Sequence, residues 1–116
     1  MAEVVKVALV CKGKIIATDS EGYLKNLSDW SKDIAQLIAD RDSIVMTKAH
    51  WEIIHTLRDF YSEYQLSPTM RVLVKYIRTR LDKEKGSSIY LLRLFPGNPA
   101  KVAARIAGLP RPTNCL

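Results

Sequence analysis

The chain has 116 residues, a net charge of +6, 47% hydrophobic residues and 26% charged residues. That composition excludes disorder throughout, and the length allows one hydrophobic core rather than two domains. No apolar run approaches the ~20 residues of a membrane-spanning helix, and two cysteines, Cys11 and Cys115, are too few for a disulfide framework or a cysteine-based zinc site. Glu3 and the short apolar core of residues 1–10 argue against a secretory signal, so the cytosol, where thiols stay reduced, is the expected compartment.

In chain order, Val4–Val10 and Lys14–Thr18 read as two strands, with Lys12-Gly13 as the tight turn of a β-hairpin, and Asp19–Gly22 is a second turn signal. The period then changes. Trp30, Ile34, Leu37 and Ile38 share one helical face, with Asn26 or Ser28 as the cap and Asp29 and Asp33 suited to the positive end of the helix dipole. Thr47 is the next N-cap, and Trp51, Ile54, Leu57, Tyr61 and Tyr64 form a second stripe. Ser67-Pro68 predicts a cap followed by a first helical position, and Met70, Leu73, Val74 and Ile77 form a third stripe ending near Leu81. After a polar connection over Asp82–Gly86, short helices are predicted over Ser87–Phe95 and Pro99–Ala107, with Gly108 at the end of the second. The fold class is α+β: an N-terminal hairpin packed on about five helices.

The tail beyond Gly108 carries Pro110 and Pro112, which lack backbone donors and exclude a regular helix. Residues 1–108 are therefore the expected domain, and 109–116 an extended, mobile arm. In polyproline form the thiol of Cys115 would stand ~22 Å from the last helix. Free cysteine is usually buried, so a penultimate tail cysteine is either reactive or a chance residue at a frayed end. Arg105 and Arg111 favour its thiolate, while the terminal carboxylate opposes it. Cys11, beside the hairpin turn, reads as a small apolar packing residue.

Other chemistry is sparse. His50 and His55 are five apart, which separates them around a helix and argues against a metal pair; His50 reads as a capping or packing residue. No nucleophile elbow, phosphate-binding loop or dinucleotide fingerprint occurs. The charge is uneven: residues 1–65 hold eight Lys/Arg and ten Asp/Glu, whereas residues 66–116 hold ten and two, a net of +8. Arg71, Lys75 and Arg78 share one helical face, a possible basic partner surface. That face belongs to an acidic-partner dock, to the second helix of a nucleic-acid-binding helix-turn-helix, or simply to solvent.

The run Ala107–Leu116, together with Asp19–Leu24, Trp30, His50-Trp51, Arg58–Tyr61, Ser67-Pro68 with Arg71, and Tyr90–Pro96, resembles the DsrC/TusE family in order and over nearly the whole chain. The resemblance implies a small helical fold with an N-terminal hairpin and a mobile C-terminal arm whose penultimate cysteine, here Cys115, carries sulfur as a persulfide. Gly108, Pro110 and Pro112, with Arg105 and Arg111, would serve arm or partner docking. The resemblance implies no cofactor and no membrane association. Members that act with dissimilatory sulfite reductase have a second arm cysteine eleven residues before the penultimate one; that position is Ala104 here. The single-cysteine pattern is similar to the TusE branch, which takes sulfur from a TusBCD-like donor complex and passes it to an MnmA-like thiolase with its bound tRNA, for 2-thiolation of the wobble uridine. The alternatives are a DsrC-related carrier in sulfur oxidation or sulfite reduction, and the helix-turn-helix regulator.

Overall fold

A computed structural model describes residues 8–112 of the chain. Strands β1 (Ala8–Cys11) and β2 (Lys14–Ala17) pair antiparallel, with Leu9 opposite Ile16 and Val10 opposite Ile15. Lys12 and Gly13 both have positive φ, 52° and 78°, which a two-residue turn needs to match the twist of its strands. Alternation puts Leu9 and Ile16 in the core and leaves Val10 and Ile15 outside. The predicted first strand began at Val4, but residues 4–7 lie outside the described residues. The second strand ends at Ala17 because Thr18 pairs instead with Leu24, and the chain turns back through Asp19–Gly22. Asp19 holds that turn by accepting from the backbone amides of Glu21 and Tyr23.

Five α-helices follow among the described residues: α1 (Lys32–Arg41), α2 (Lys48–Tyr64), α3 (Met70–Arg80), α4 (Ser88–Leu94) and α5 (Pro99–Ile106). Their starts are chemically specified. Ser31, Thr47, Ser87 and Asn98 each accept from an amide in the first turn of the helix they cap, and Pro99 occupies the first turn of α5. The α1 start differs from the sequence reading: Asn26 caps a 3₁₀ turn over Leu27–Asp29, and the helix begins only after Ser31. Trp30 therefore stands outside the helix whose face it was assigned to. On α2 the buried residues are His50, Ile53, Ile54, Thr56, Leu57 and Phe60, while Tyr64 is 52% exposed because the true stripe runs through Phe60. Ser67 caps nothing. The α3 cap position is Thr69, without a side-chain hydrogen bond, since the chain stays non-helical through Pro68.

The core gathers Ile34, Ile38, Ile53, Ile54, Leu57, Leu73, Ile77, Leu91, Phe95 and Ile106, all nearly solvent-free. Helix α5 packs against each of the other four helices and carries three buried alanines, Ala100, Ala103 and Ala104, with a fourth, Ala107, just past its end, that let neighbours approach closely. His50 ties α2 to the end of α4. Its Nδ1 accepts from the Thr47 amide at 3.1 Å and lies 2.7 Å from Thr47 Oγ1, its Nε2 lies 2.8 Å from the Leu94 carbonyl, and its ring meets Phe95 edge-on. The Thr47 N–H needs an acceptor at Nδ1, so the proton sits on Nε2 and is donated to Leu94. This fulfils the capping and packing role expected of His50. Cys11 is half-buried against the core, in keeping with a packing residue.

Replacing His50 by Ala removes a reciprocal helix cap and leaves the Leu94 carbonyl without its donor. We expect a loss of about 2–3 kcal/mol, read as a lower urea midpoint with an unchanged slope.

Candidate functional site: the root of the C-terminal arm

The polar residues that the core does not use converge on the C-terminus of α5. A helix leaves its last carbonyls unpaired, and here they face the interior of the fold. Trp30 Nε1 donates to the Ile106 carbonyl at 2.9 Å, and Arg58 Nη1 donates to the Ala107 carbonyl at 2.5 Å. The two donors also touch each other, with the Arg58 guanidinium 3.8 Å from the centre of the Trp30 ring. Burial pulls the Arg58 pKa below its ordinary value, yet an arginine keeps its proton at neutral pH and so remains a full charge here. Gly108, at φ +73°, turns the chain away from α5, and a Cβ there would fall 2.2 Å from Trp30 Cδ1. Glycine is therefore required twice over, by conformation and by contact.

The next residues are packed, not projecting. Leu109 is 2% exposed, the Pro110 carbonyl accepts from Ser67 Oγ at 2.5 Å, and Pro112 is buried. Arg111 reaches the Glu21 carboxylate at 2.6 Å. The body of the fold thus continues to at least Pro112, and the boundary drawn after residue 108 does not coincide with a break in packing. The physical reason is that Leu109 buries its whole side chain, which favours docking by roughly 1.5–3 kcal/mol.

Arg105 is spoken for by the same loop. Its Nη1 donates to the Glu21 carbonyl at 3.1 Å, its guanidinium lies 5.5 Å from the centre of the Tyr23 ring, and its buried Nε faces the buried Oδ2 of Asp42 at 3.7 Å. Arg105 and Asp42, together with Glu21 and Arg41, line a cleft of about 200 Å³ beside the Asp19–Gly22 turn. Arg105 and Arg111 therefore act first as ties between the arm root and that turn. Cys115 lies outside the described residues.

Arg71, Lys75 and Arg78 lie elsewhere, exposed along α3, and none of them lines the arm root. Sequence reasoning singled out Gly108, Pro110, Pro112, Arg105 and Arg111 for this site. It placed none of Trp30, Arg58, Ser67 and Glu21 at this site, although each falls within a segment that carries the family resemblance. An invariant spacing could not have joined them, because they sit 43 to 90 residues from the arm atoms they hold. No group of three or more His, Cys, Asp or Glu side chains able to hold a metal occurs among the described residues, and no described helix is long and apolar enough to cross a membrane.

A hairpin and five helices whose last helix hands over to a bound, proline-bearing arm define a small arm-presenting domain. The chain belongs to the DsrC-like family: the family model described as "DsrC like protein" matches residues 10–116. It is 51% identical over 110 residues to Sulfurtransferase TusE of Photorhabdus laumondii, covering 95% of this chain and 99% of that protein. It is 49% identical over 108 residues to Sulfurtransferase TusE of Escherichia coli K12, covering 93% and 99%. Among solved structures, DsrC of Allochromatium vinosum superposes with a TM-score of 0.85 at 50% identity, covering 94% of this chain and 97% of that one. The oxidized gamma-subunit of the dissimilatory sulfite reductase (DsrC) from Archaeoglobus fulgidus superposes with a TM-score of 0.81 at 37% identity, covering 94% and 99%.

Two outcomes follow from the arm root. Gly108→Ala should lose about 2–4 kcal/mol, the sum of a left-handed backbone cost and overpacking against Trp30; thermal unfolding measures this, and near-UV circular dichroism of the Trp30 environment reports the displacement. Tyr23 gives a pH signature. Burial pushes its hydroxyl up to about 12, against the opposing pull of Arg105. An unfolded tyrosine ionises near ~10. Its contribution is therefore complete below ~10, and as pH rises from there toward about 12 the unfolded chain has lost a proton that the folded chain retains, so stability falls. Denaturation midpoints from pH ~8 to ~11 should decline less steeply in Tyr23→Phe than in the parent.

Proposed function

We propose that the chain is a sulfur-relay protein in which Cys115 is the acceptor and carrier. The observation that carries this reading is the near full-length match, at about half identity, to proteins named Sulfurtransferase TusE, in a chain whose C-terminal half contains one cysteine. In the relay, the Cys115 thiolate attacks the terminal sulfur of a donor persulfide, R–S–SH. The donor S–S bond breaks, R–S⁻ leaves, and Cys115–S–SH forms with no net oxidation or reduction. The same exchange in reverse sense delivers the sulfur to an acceptor.

The docked root supports such a role through geometry. Covalent dimensions limit the Cys115 Cα to within roughly 11 Å of the Pro112 Cα, whatever path the chain takes between them. A short tether restricts the volume that the thiol samples and so raises its effective concentration at a partner seated on the same body. Residues 109–116 are best regarded as an arm whose first half is a fixed pedestal.

The direction of the relay follows from Ala104. Identity alone does not separate the branches, since DsrC of Allochromatium vinosum is as similar as the TusE relatives. In the family, the branch acting with sulfite reductase places a second arm cysteine at the position of Ala104, and that position here is a fully buried methyl group on α5. One arm thiol carries a persulfide but does not close a disulfide within the arm. This favours one-sulfur relay toward tRNA wobble-uridine 2-thiolation, from a TusBCD-like donor complex to an MnmA-like thiolase holding its tRNA. The reducing cytoplasm is the compartment in which such a free thiol persists.

Incubation with a persulfide donor should add one sulfur atom to the intact mass of the protein, reversibly by thiol reductant, and peptide mapping should place it on Cys115. Cys115→Ser should show no addition while keeping the parent's thermal midpoint. Equal loading of Cys115→Ser, or loading confined to Cys11, would overturn the assignment.

A further inference from the structure

The basic residues of α3 occupy a defined concavity. Arg71, Lys75 and Arg78 line an open groove of about 650 Å³ together with Met70, Val74 and Ser88. Neither the Arg71 nor the Lys75 side chain forms an ion pair or hydrogen bond within the described residues. Arg78 donates its Nε–H to the Gly86 carbonyl at 2.8 Å, and its outer N–H groups donate to no partner among the described residues. The other flank of the same helix is different. There Arg80 pairs with Glu63 at 3.4 Å and Asp59 at 4.0 Å, and Tyr76 donates to Glu63. Acids of α2 pair with that flank of α3, which Lys75 also borders; on the groove side no ion pair forms among the described residues.

Arg71 also breaks a local rule. It sits in the first turn of α3, which has no acidic residue and no side-chain cap, so a cation stands at the positive end of the helix dipole. Residues that oppose local preference without an internal partner point to an external one. The groove floor, by contrast, is apolar: Met70 and Val74 are half-buried against the core.

We propose that this groove docks an acidic amphipathic helix of a partner protein. Three cations of one sign along the rim demand carboxylates, and the thioether and aliphatic floor demands an apolar stripe beside them. The rim spacing of i, i+4 and i+7 spans roughly 10.5 Å, two turns of a facing helix. Duplex nucleic acid fits less well. A reading helix must project into the duplex groove, whereas these cations border a depression whose floor would desolvate phosphates without hydrogen bonds. The surface operates apart from Cys115, so it stands or falls independently of sulfur transfer.

The test uses the full chain and three fluorescein-labelled probes at low ionic strength: a helical peptide with Leu on one stripe and Glu on the flanking one, its scrambled counterpart, and a short RNA duplex. Fluorescence anisotropy should show the amphipathic peptide binding best, and binding should survive Cys115→Ser. Arg71→Glu with Lys75→Glu should weaken it by about tenfold or more. Lys14→Glu with Lys25→Glu, which changes net charge equally on exposed positions of the hairpin region, should weaken it by less than about twofold. Arg71→Glu places an acid where the α3 dipole favours one, so the thermal midpoint should hold. Equal binding of the scrambled peptide, equal loss in both double variants, or tighter binding of the RNA with the same dependence on Arg71 and Lys75 would each overturn the proposal.

Discussion

The carbonyl groups at the end of α5 have to be satisfied inside the protein, and the way they are satisfied organises the molecule. Trp30 and Arg58 come from different places, one just before α1 and one in the middle of α2, yet they stack on each other and donate to consecutive residues, Ile106 and Ala107. Hydrogen bonds to buried carbonyls are modest in net gain but costly to lose. Meeting both demands at once fixes α1 and α2 relative to α5. It also sets the direction of the chain after Gly108, because the Trp30 ring occupies the space a side chain at 108 would need.

From that fixed point the arm root is bound step by step. Leu109 enters the core, Pro110 accepts from Ser67, and Arg111 meets Glu21 in the turn that follows the hairpin. The exposed Arg111–Glu21 pair adds little energy by itself. Its value is directional: with Arg105 on the Glu21 carbonyl, it joins the last described residues to the first third of the chain. The proposed relay residue, Cys115, follows Pro112 by three residues in the sequence.

The charge asymmetry resolves into local chemistry in the same way. The basic second half of the sequence is not a uniform field. Arg58, in the first half, and Arg105 are consumed by the arm root, and Arg80 by the acids of α2. What remains uncompensated on α3 is the set lining the groove with Met70 and Val74. A count of lysines and arginines could not distinguish cations that hold the fold together from those available to a partner.

Local sequence determined the elements. The Lys12-Gly13 turn, the Thr47 cap, the Pro99 start of α5 and the apolar stripe of α3 are all read within a few residues, because turns, caps and periodicity are short-range physics. Cys115 and the alanine at 104 are likewise facts of sequence alone, and the proposed relay rests on them. Where short-range signals were ambiguous they misled. Ser67 before Pro68 has the pattern of a helix cap, but its hydroxyl serves Pro110, 43 residues away; Trp30 matched a helical stripe, but its indole serves Ile106, 76 residues away. Two prolines suggested an arm standing free from residue 109, and only the buried side chain of Leu109 and the partners of Pro110 and Arg111 moved its base onto the body. Such choices belong to tertiary structure, since whether a polar side chain caps its own helix or serves a distant carbonyl depends on which buried group would otherwise go unpaired, and that is known only once the elements are packed.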